Sequence, residues 1–217
     1  MERLRRMAAG EVDGRGSERI GVFGGSFDPP HIGHQVLAGE AQDVFDLDKV
    51  LWVLTPDPPH KVDWSVLPAT HRIKMVEIAI EGSPGFEFCR VDIDRPAPHY
   101  ALDTLRILRG WYPQATLIYL IGGDSLRDLP TWHRPAELVA ACDEIGEMRR
   151  PGDAIDLKTL EQTLPALKAK LRWMDAPYLE ISSSDIRKRA IEGRPFRFFL
   201  PEGVYQYICQ ERLYQYN

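Results

Sequence analysis

His31 and His34 stand three residues apart behind a glycine pair, in the stretch Gly21-Val22-Phe23-Gly24-Gly25-Ser26-Phe27-Asp28-Pro29-Pro30-His31-Ile32-Gly33-His34. Gly24 and Gly25 carry no Cβ, so the chain can turn sharply there and let a ligand come close to the main chain. Apolar residues near helical spacing from Ile32 to Phe45 place a helix N-terminus just after the turn, with its free N–H groups and positive dipole end. An anion belongs in that space. Imidazoles at i and i+3 can both face it, and Gly33 between them leaves room. Imidazoles beside a phosphate imply chemistry on phosphate. The stretch has neither G-x-x-x-x-G-K-[ST] nor G-x-G-x-x-G, which removes the P-loop and the dinucleotide fingerprint. Two plainer readings stay open on physics alone: a tight turn followed by polar surface histidines, and half of a zinc site, although no H-E-x-x-H or paired C-x-x-C accompanies it.

A second anion cradle is expected in Ile181-Ser182-Ser183-Ser184-Asp185-Ile186-Arg187-Lys188-Arg189. Serines at a helix N-terminus offer hydroxyls and free N–H groups together, and Arg187 one turn in reaches the same anion. The plain alternative is an ordinary serine cap followed by three solvated basic residues.

The elements that must position these residues alternate in type. Apolar runs at Ile20–Phe23, Val50–Leu54, Phe86–Ile93 and Thr116–Ile121 read as strands, and Asp143–Met148 follows the rhythm despite Asp143, Glu144 and Glu147. Between them Ile32–Phe45, Ala69–Ile80 and Tyr100–Trp111 read as helices. The loop Thr55-Pro56-Asp57-Pro58-Pro59-His60-Lys61 is proline-stiffened and carries His60 and Lys61 at its tip. Leu157, Leu160, Leu164, Leu167 and Leu171 suggest a heptad seam that Pro165 interrupts, so two short packing helices are expected there. A helix from about Ser183 to Glu192 ends at Gly193, and a last one begins at Pro201 with Val204 and Ile208 inward. Strand-helix alternation predicts an α/β, Rossmann-like, doubly wound and mainly parallel sheet with helices on both faces, and ligands beyond the carboxyl ends of the strands.

At 217 residues, 44% hydrophobic and 27% charged, the chain is long enough for one full core. Residues 1–18 are expected as a loose N-terminal tail without an apolar h-region, and residues 19–217 as a single domain. A net charge of −5 argues against a nucleic-acid partner, so a local cluster of Lys, Arg and His must hold any anionic substrate. Cys89, Cys142 and Cys209 lie far apart and outside metal spacing, as reduced thiols of a cytoplasmic protein would. No apolar run is long enough for a membrane span. A homo-oligomer is left open.

The first stretch as a whole resembles the G-G-[ST]-F-D-P-x-H-x-G-H signature of the nucleotidyltransferase superfamily, and Ile181 to Arg187 matches its [IL]-S-S-[ST]-x-[IL]-R element position by position. From about Arg19 onward the chain is similar to the bacterial nicotinate-nucleotide adenylyltransferase family. The further matches are Pro58-Pro59-His60-Lys61, His71-Arg72, Ala97-Pro98-His99-Tyr100 followed by Asp103-Thr104-Leu105, Gly122-Gly123-Asp124-Ser125-Leu126 with Trp132, and Arg149-Arg150-Pro151-Gly152. The resemblance implies adenylyl transfer from ATP to nicotinate mononucleotide with Mg²⁺, giving nicotinate adenine dinucleotide and pyrophosphate for NAD biosynthesis. It gives His31, His34 and Arg187 catalytic roles. It assigns ATP to Gly24, Gly25, Ser26, Phe27, Gly33, the two histidines, Gly122, Asp124 at the ribose, Ser183 and Ser184 at the β- and γ-phosphates, Ile186 and Arg187. It assigns the acceptor to Lys61, Tyr100, Ala101, Thr104, Arg150 and Trp132, whose ring would stack on the pyridine unless it is core packing. No metal ligand follows. The family commonly shows S-Y-T where this chain has His99-Tyr100-Ala101, so a hydroxyl beside the pyridine substituent is missing. The alternatives are the same chemistry on nicotinamide mononucleotide or phosphopantetheine, and a non-catalytic module that senses dinucleotides.

Overall fold

A computed structural model describes residues 17–57, 66–149, 155–175, 177 and 179–214. Its strands are β1 (Arg19–Gly25), β2 (Lys49–Leu54), β3 (Phe86–Cys89), β4 (Thr116–Gly122), β5 (Glu144–Arg149) and β6 (Leu171–Asp175). They form one sheet in the order β3-β2-β1-β4-β5-β6, and every pairing is parallel. The helices are α1 (Ile32–Val44), α2 (Ala69–Ile80), α3 (Ala101–Trp111), α4 (Gly123–Asp128), α5 (Pro135–Ala141), α6 (Leu157–Thr163), α7 (Leu167–Lys170), α8 (Ser183–Ile191) and α9 (Glu202–Gln210).

Side chains alternate across a pleated strand, so a sheet covered on both faces needs apolar residues at consecutive positions. On one face Ile20, Val22, Leu51, Val53, Leu117 and Ile121 pack with Leu102, Leu105 and Leu108 of α3 and Leu138 of α5. On the other, Phe23, Val50, Trp52, Leu54, Ile118 and Leu120 pack with Ala38 and Ala41 of α1 and Val76 and Ile80 of α2. A third cluster joins Met75 and Ala79 of α2 to Ile186 of α8 and Val204 and Ile208 of α9. Strand order reverses between β1 and β4, and the crevice at their carboxyl ends is where such a sheet accepts a ligand.

Three expectations are corrected. β3 stops at Cys89 and not at Ile93, because the N–H groups of Ile93 and Asp94 turn back to the Arg90 carbonyl while Arg95 takes the Asp92 carboxylate at 3.0 Å. Leu171 does not continue the leucine seam; it opens β6, an edge strand in which Leu171 and Met174 are buried and Arg172 and Asp175 are exposed. The acidic fifth strand spans Glu144–Arg149, and its acids have particular places. Asp143 accepts the Leu117 N–H at 2.7 Å and pairs with Arg109, Glu144 pairs with Arg19 at 3.2 Å, and Glu147 is wholly enclosed. Of the expected tail, residues 1–16 lie outside the described residues. Glu18 is already tied to the sheet, through its carbonyl to the Thr116 N–H at 2.8 Å and its carboxylate to Lys49 at 2.9 Å.

Close packing of the sheet gives a stability test. A Cβ on Gly146 of β5 would stand 2.7 Å from Phe45 Cε2 and 2.9 Å from Leu120 Cδ2. Gly146→Ala is therefore expected to cost about 1–3 kcal/mol through overpacking, seen as a lower denaturant midpoint at unchanged m. An unchanged midpoint would mean that the Phe45 ring moves aside freely.

Candidate active site

β1 delivers the chain to its carboxyl end at Gly25, and a short loop returns it into α1 with His31 as the N-cap residue. Phe27 sits in that loop at φ 45°, a left-handed backbone position, with its ring buried among Phe23, Trp52 and His34 at centroid distances of 5.6, 5.1 and 5.2 Å. A Cβ on Gly25 would stand 2.9 Å from the Phe27 ring. The space at Gly25 thus serves the protein's own ring, and the side chain of Phe27, expected at ATP, packs in the core beside the loop. Gly33 is similar: its missing Cβ would lie 3.0 Å from His31 Nδ1, so the gap seats an imidazole. The two imidazoles lie 3.7 Å apart and 31° from parallel. The His31 N–H donates to His34 Nδ1 at 3.1 Å. With Nδ1 accepting, a neutral His34 carries its proton on Nε2 and presents a donor there.

The serine-led helix docks against this loop. Ser182 is its N-cap and accepts the Asp185 N–H at 3.1 Å, with the Ser184 hydroxyl 3.0 Å away. The Ser183 hydroxyl donates to the Pro29 carbonyl at 2.9 Å, and Arg187 Nη1 to the Asp28 carbonyl at 2.7 Å. Arg187 is thus enclosed and holds the loop before the histidines, unlike a solvated helix cation. Ile186, expected at ATP, points into the apolar cluster with Met75 and Val204. Asp28 Oδ1 accepts from the Tyr214 hydroxyl at 2.7 Å; burial first, then Asp28, pushes that phenol's pKa up.

Arg72, missed as a site residue, underlies all of these loops. From a fully buried position its guanidinium donates to the carbonyls of Leu67 (2.8 Å), Ser26 (3.0 Å), Thr55 (2.9 Å) and Pro56 (2.5 Å). Burial lowers its pKa from the ordinary arginine value, and the Asp28 charge opposes that.

Two cavities open at the switch point. The larger, about 300 Å³, is lined by Gly24, Gly25, Ser26, Thr55, Asp92, His99, Tyr100, Ala101, Thr104, Tyr119, Ser125, Trp132 and His133 among others. The smaller, about 210 Å³, is lined by Gly24, His34, Leu37, Tyr119, Ile121, Gly122, Gly123, Asp124, Ser125 and Trp132 among others. Gly24, Tyr119, Ser125 and Trp132 belong to both and form the partition. Trp132 is half-buried and meets Tyr119 edge-on at 6.4 Å and 83°, so its core contact and its cavity wall are the same ring. His31, Ser183, Ser184 and Arg187 border neither of these two cavities and stand behind the histidine loop. A depression of about 550 Å³ at α8 is lined by Ile181, Ser182, Asp185, Lys188, Arg189 and Arg194 among others, and by no residue of the histidine loop.

Within the larger cavity Thr104, expected to bind substrate, gives its hydroxyl to Asp92 Oδ1 at 2.7 Å, and Arg95 pairs with the same carboxylate at 2.9 Å. Tyr100 is the N-cap of α3 and stacks on His133 at 4.0 Å and 14°. His99 is a buried imidazole, with Nε2 at 3.2 Å from the Arg95 carbonyl and Nδ1 at 4.0 Å from Asp57. In the smaller cavity Asp124 is mostly exposed and pairs with Arg127 at 2.5 Å. Lys61 and Arg150 lie outside the described residues. Besides Arg72, the sequence reading missed Asp92, Tyr119, Ser125 and His133; an acid three residues before Arg95 and a histidine beside Trp132 were the available signals.

Among the described residues no three His, Cys, Asp or Glu side chains gather to hold a metal ion, and no helix is long and apolar enough to cross a membrane. Two adjoining concave cavities, with a histidine donor in one and ring platforms at their border, suit two planar ligands joined or to be joined between them.

Residues 22–189 match the cytidylyltransferase-like family. A probable nicotinate-nucleotide adenylyltransferase of Thermomicrobium roseum is 40% identical over 197 residues, covering 91% of this chain and 92% of that protein. One of Nocardioides sp. is 44% identical over 192 residues, covering 88% and 92%. A solved structure of the Plasmodium falciparum nicotinic acid mononucleotide adenylyltransferase complexed with NaAD aligns with a TM-score of 0.74 at 21% identity, covering 91% of this chain and 97% of that one. At that identity the likeness speaks for the fold.

Proposed function

This chain belongs to the cytidylyltransferase-like family, and on that premise we propose that it transfers the adenylyl group of ATP to nicotinate mononucleotide, forming nicotinate adenine dinucleotide and pyrophosphate in the cytoplasmic synthesis of NAD. The observation that carries this reading is the shared partition: two nucleotides, one in each cavity, would meet with their phosphates at Gly24 beside His34. The smaller cavity takes ATP, the larger the acceptor, and the triphosphate runs back toward the serine-led helix and Arg187.

The acceptor phosphate attacks the α-phosphorus of ATP in line, and pyrophosphate leaves. The nucleophile is already an anion and needs no general base, so the protein's tasks are positioning and charge stabilisation. His34 Nε2–H donates to an oxygen of the transferring phosphate; its orientation comes from the His31 N–H on Nδ1. Arg187 and the free N–H groups of α8 stabilise the leaving pyrophosphate. Mg²⁺ would accompany ATP and would supply charge neutralisation at its phosphates; among the described residues no three His, Cys, Asp or Glu side chains gather to hold it, so its ligands would come chiefly from substrate and water.

Nicotinate mononucleotide is expected to be preferred over its amide. The first N–H groups of α3, at Ala101 and Leu102, have no carbonyl within the helix to bond, and the dipole there favours a carboxylate. Asp92 would oppose that charge, but Arg95 at 2.9 Å compensates it. An amide turns its NH₂ toward donors and leaves one unpaired, roughly a tenfold to hundredfold loss in kcat/KM. The missing hydroxyl at Ala101 and the consumed one at Thr104 favour the dual-acceptor reading instead. Steady-state kinetics with both mononucleotides at saturating ATP decide: equal kcat/KM values would make the enzyme dual-specific, and no pyrophosphate release with either would overturn the function.

A further inference from the structure

Tyr119 lies on β4 opposite Val22 of β1, with its ring in the core cluster against α3. Only 7% of its surface is exposed, and it lines both cavities. Its hydroxyl reaches along β1: a Cβ on Gly24 would stand 3.6 Å from that oxygen, and Gly24 is itself a wall of both cavities. Among the described residues no group hydrogen-bonds it. The ring is buried, and the hydroxyl oxygen keeps accessible surface at the cavity wall with no hydrogen bond to the described residues, so a ligand or water can complete it there. A phenylalanine would pack the same core and present no donor to the cavities.

We infer that the Tyr119 hydroxyl is a substrate contact, donating a hydrogen bond to a phosphate oxygen of the acceptor nucleotide where the two cavities meet. The inference rests on the reading of the cavities as two nucleotide sites. What crosses their partition is the segment between the two nucleosides, which is phosphate. Trp132 borders both cavities and stands edge-on to Tyr119, while the Tyr100–His133 stack belongs to the larger cavity alone. Phosphate oxygens only accept, and Tyr119 only needs to give. Burial, and then the nearby Asp92 carboxylate, raise the phenol's pKa above its ordinary value, so the group remains an O–H donor across the working range. It faces the forming phosphoanhydride from the β4 side.

The test is Tyr119→Phe in the full chain, which removes one oxygen and keeps the ring in the core. The Kd of nicotinate mononucleotide, by calorimetry, and its KM at saturating ATP are expected to rise roughly tenfold to a hundredfold, the scale of a hydrogen bond to a charged group. The Kd of ATP alone and the thermal midpoint should stay near wild type. Nicotinate riboside, which lacks the phosphate, separates the possibilities: its binding should not distinguish Tyr119→Phe from wild type. Equal weakening of nucleotide and riboside would move the contact to the sugar or ring and overturn the assignment. Unchanged constants for every ligand would overturn the contact while leaving the proposed function standing. A wild-type protein that neither binds nor turns over nicotinate mononucleotide would remove the reading on which the inference rests.

Discussion

His34→Ala is expected to lower kcat by roughly 10²-fold or more, the scale of removing one oriented donor from an oxygen on which charge develops. The ring is held from several sides. Its Nδ1 accepts the His31 N–H at 3.1 Å, its face lies 3.7 Å from the His31 ring, and its edge meets Phe27 at 5.2 Å. These contacts fix which nitrogen faces the smaller cavity, so the donor is in place before substrate arrives. ATP binding relies on many other contacts and should change only a few-fold. The substitution also removes a cap acceptor at the start of α1, worth about 0.5–2 kcal/mol, so the thermal midpoint should fall modestly. The two effects separate by measurement: single-turnover rates at saturating ligands report the donor, and unfolding reports the cap. Near-normal turnover would remove His34 from the chemistry.

Much of the sheet was legible because its strands are buried on both faces and so read as unbroken apolar runs. Val50–Leu54 and Thr116–Ile121 came within a residue of the observed strands, and the helix over Ala69–Ile80 has the expected bounds. What failed lies at the sheet's edges. β3 is cut short by an Arg90–Asp94 turn whose stabilising partners, Arg95 and Thr104, come from outside the strand. β6 alternates weakly, and its leucine fell in step with an unrelated helical seam. The acids of β5 looked wrong for a strand because their partners, Arg19 and Arg109, are distant in sequence.

The site was legible as motifs and less so as roles. Glycines, histidines and serines announce a phosphate by type and spacing, but Gly25 and Gly33 make room for Phe27 and His31, which only the packed loop reveals. Arg72 stood only in the matched pair His71-Arg72, with no role given to it; its four carbonyl acceptors come from three loops that no local pattern links. Tyr119 was hidden by its own strand, where an aromatic among Leu and Ile reads as core. A hydroxyl matters only where the core ends, and that boundary is a property of the fold.

Arg187→Ala is expected to reduce kcat/KM for ATP by roughly 10²–10³-fold, with KM raised and kcat lowered together. The guanidinium does two things at once. On the proposed reading it adds fixed positive charge near the leaving pyrophosphate, and it holds the Asp28 carbonyl at 2.7 Å, three residues before His31. Alanine leaves that carbonyl without its donor in a buried place, at about 1–3 kcal/mol, and the loop bearing the histidines loses a tie to α8. Lysine restores a charge but not a planar fork with several fixed donors, so Arg187→Lys should recover only part of the activity. Ser183, whose hydroxyl holds the neighbouring Pro29 carbonyl at 2.9 Å, offers a comparison. Ser183→Ala loosens the same loop without removing a charge, so a fall in kcat as deep as that of Arg187→Ala would make loop support the whole of the arginine's role. ATP titrations, initial rates and thermal unfolding on the three variants separate the contributions. A lowered midpoint in Arg187→Ala with unchanged KM and kcat would leave Arg187 a strut of the loop and take it out of the phosphate chemistry.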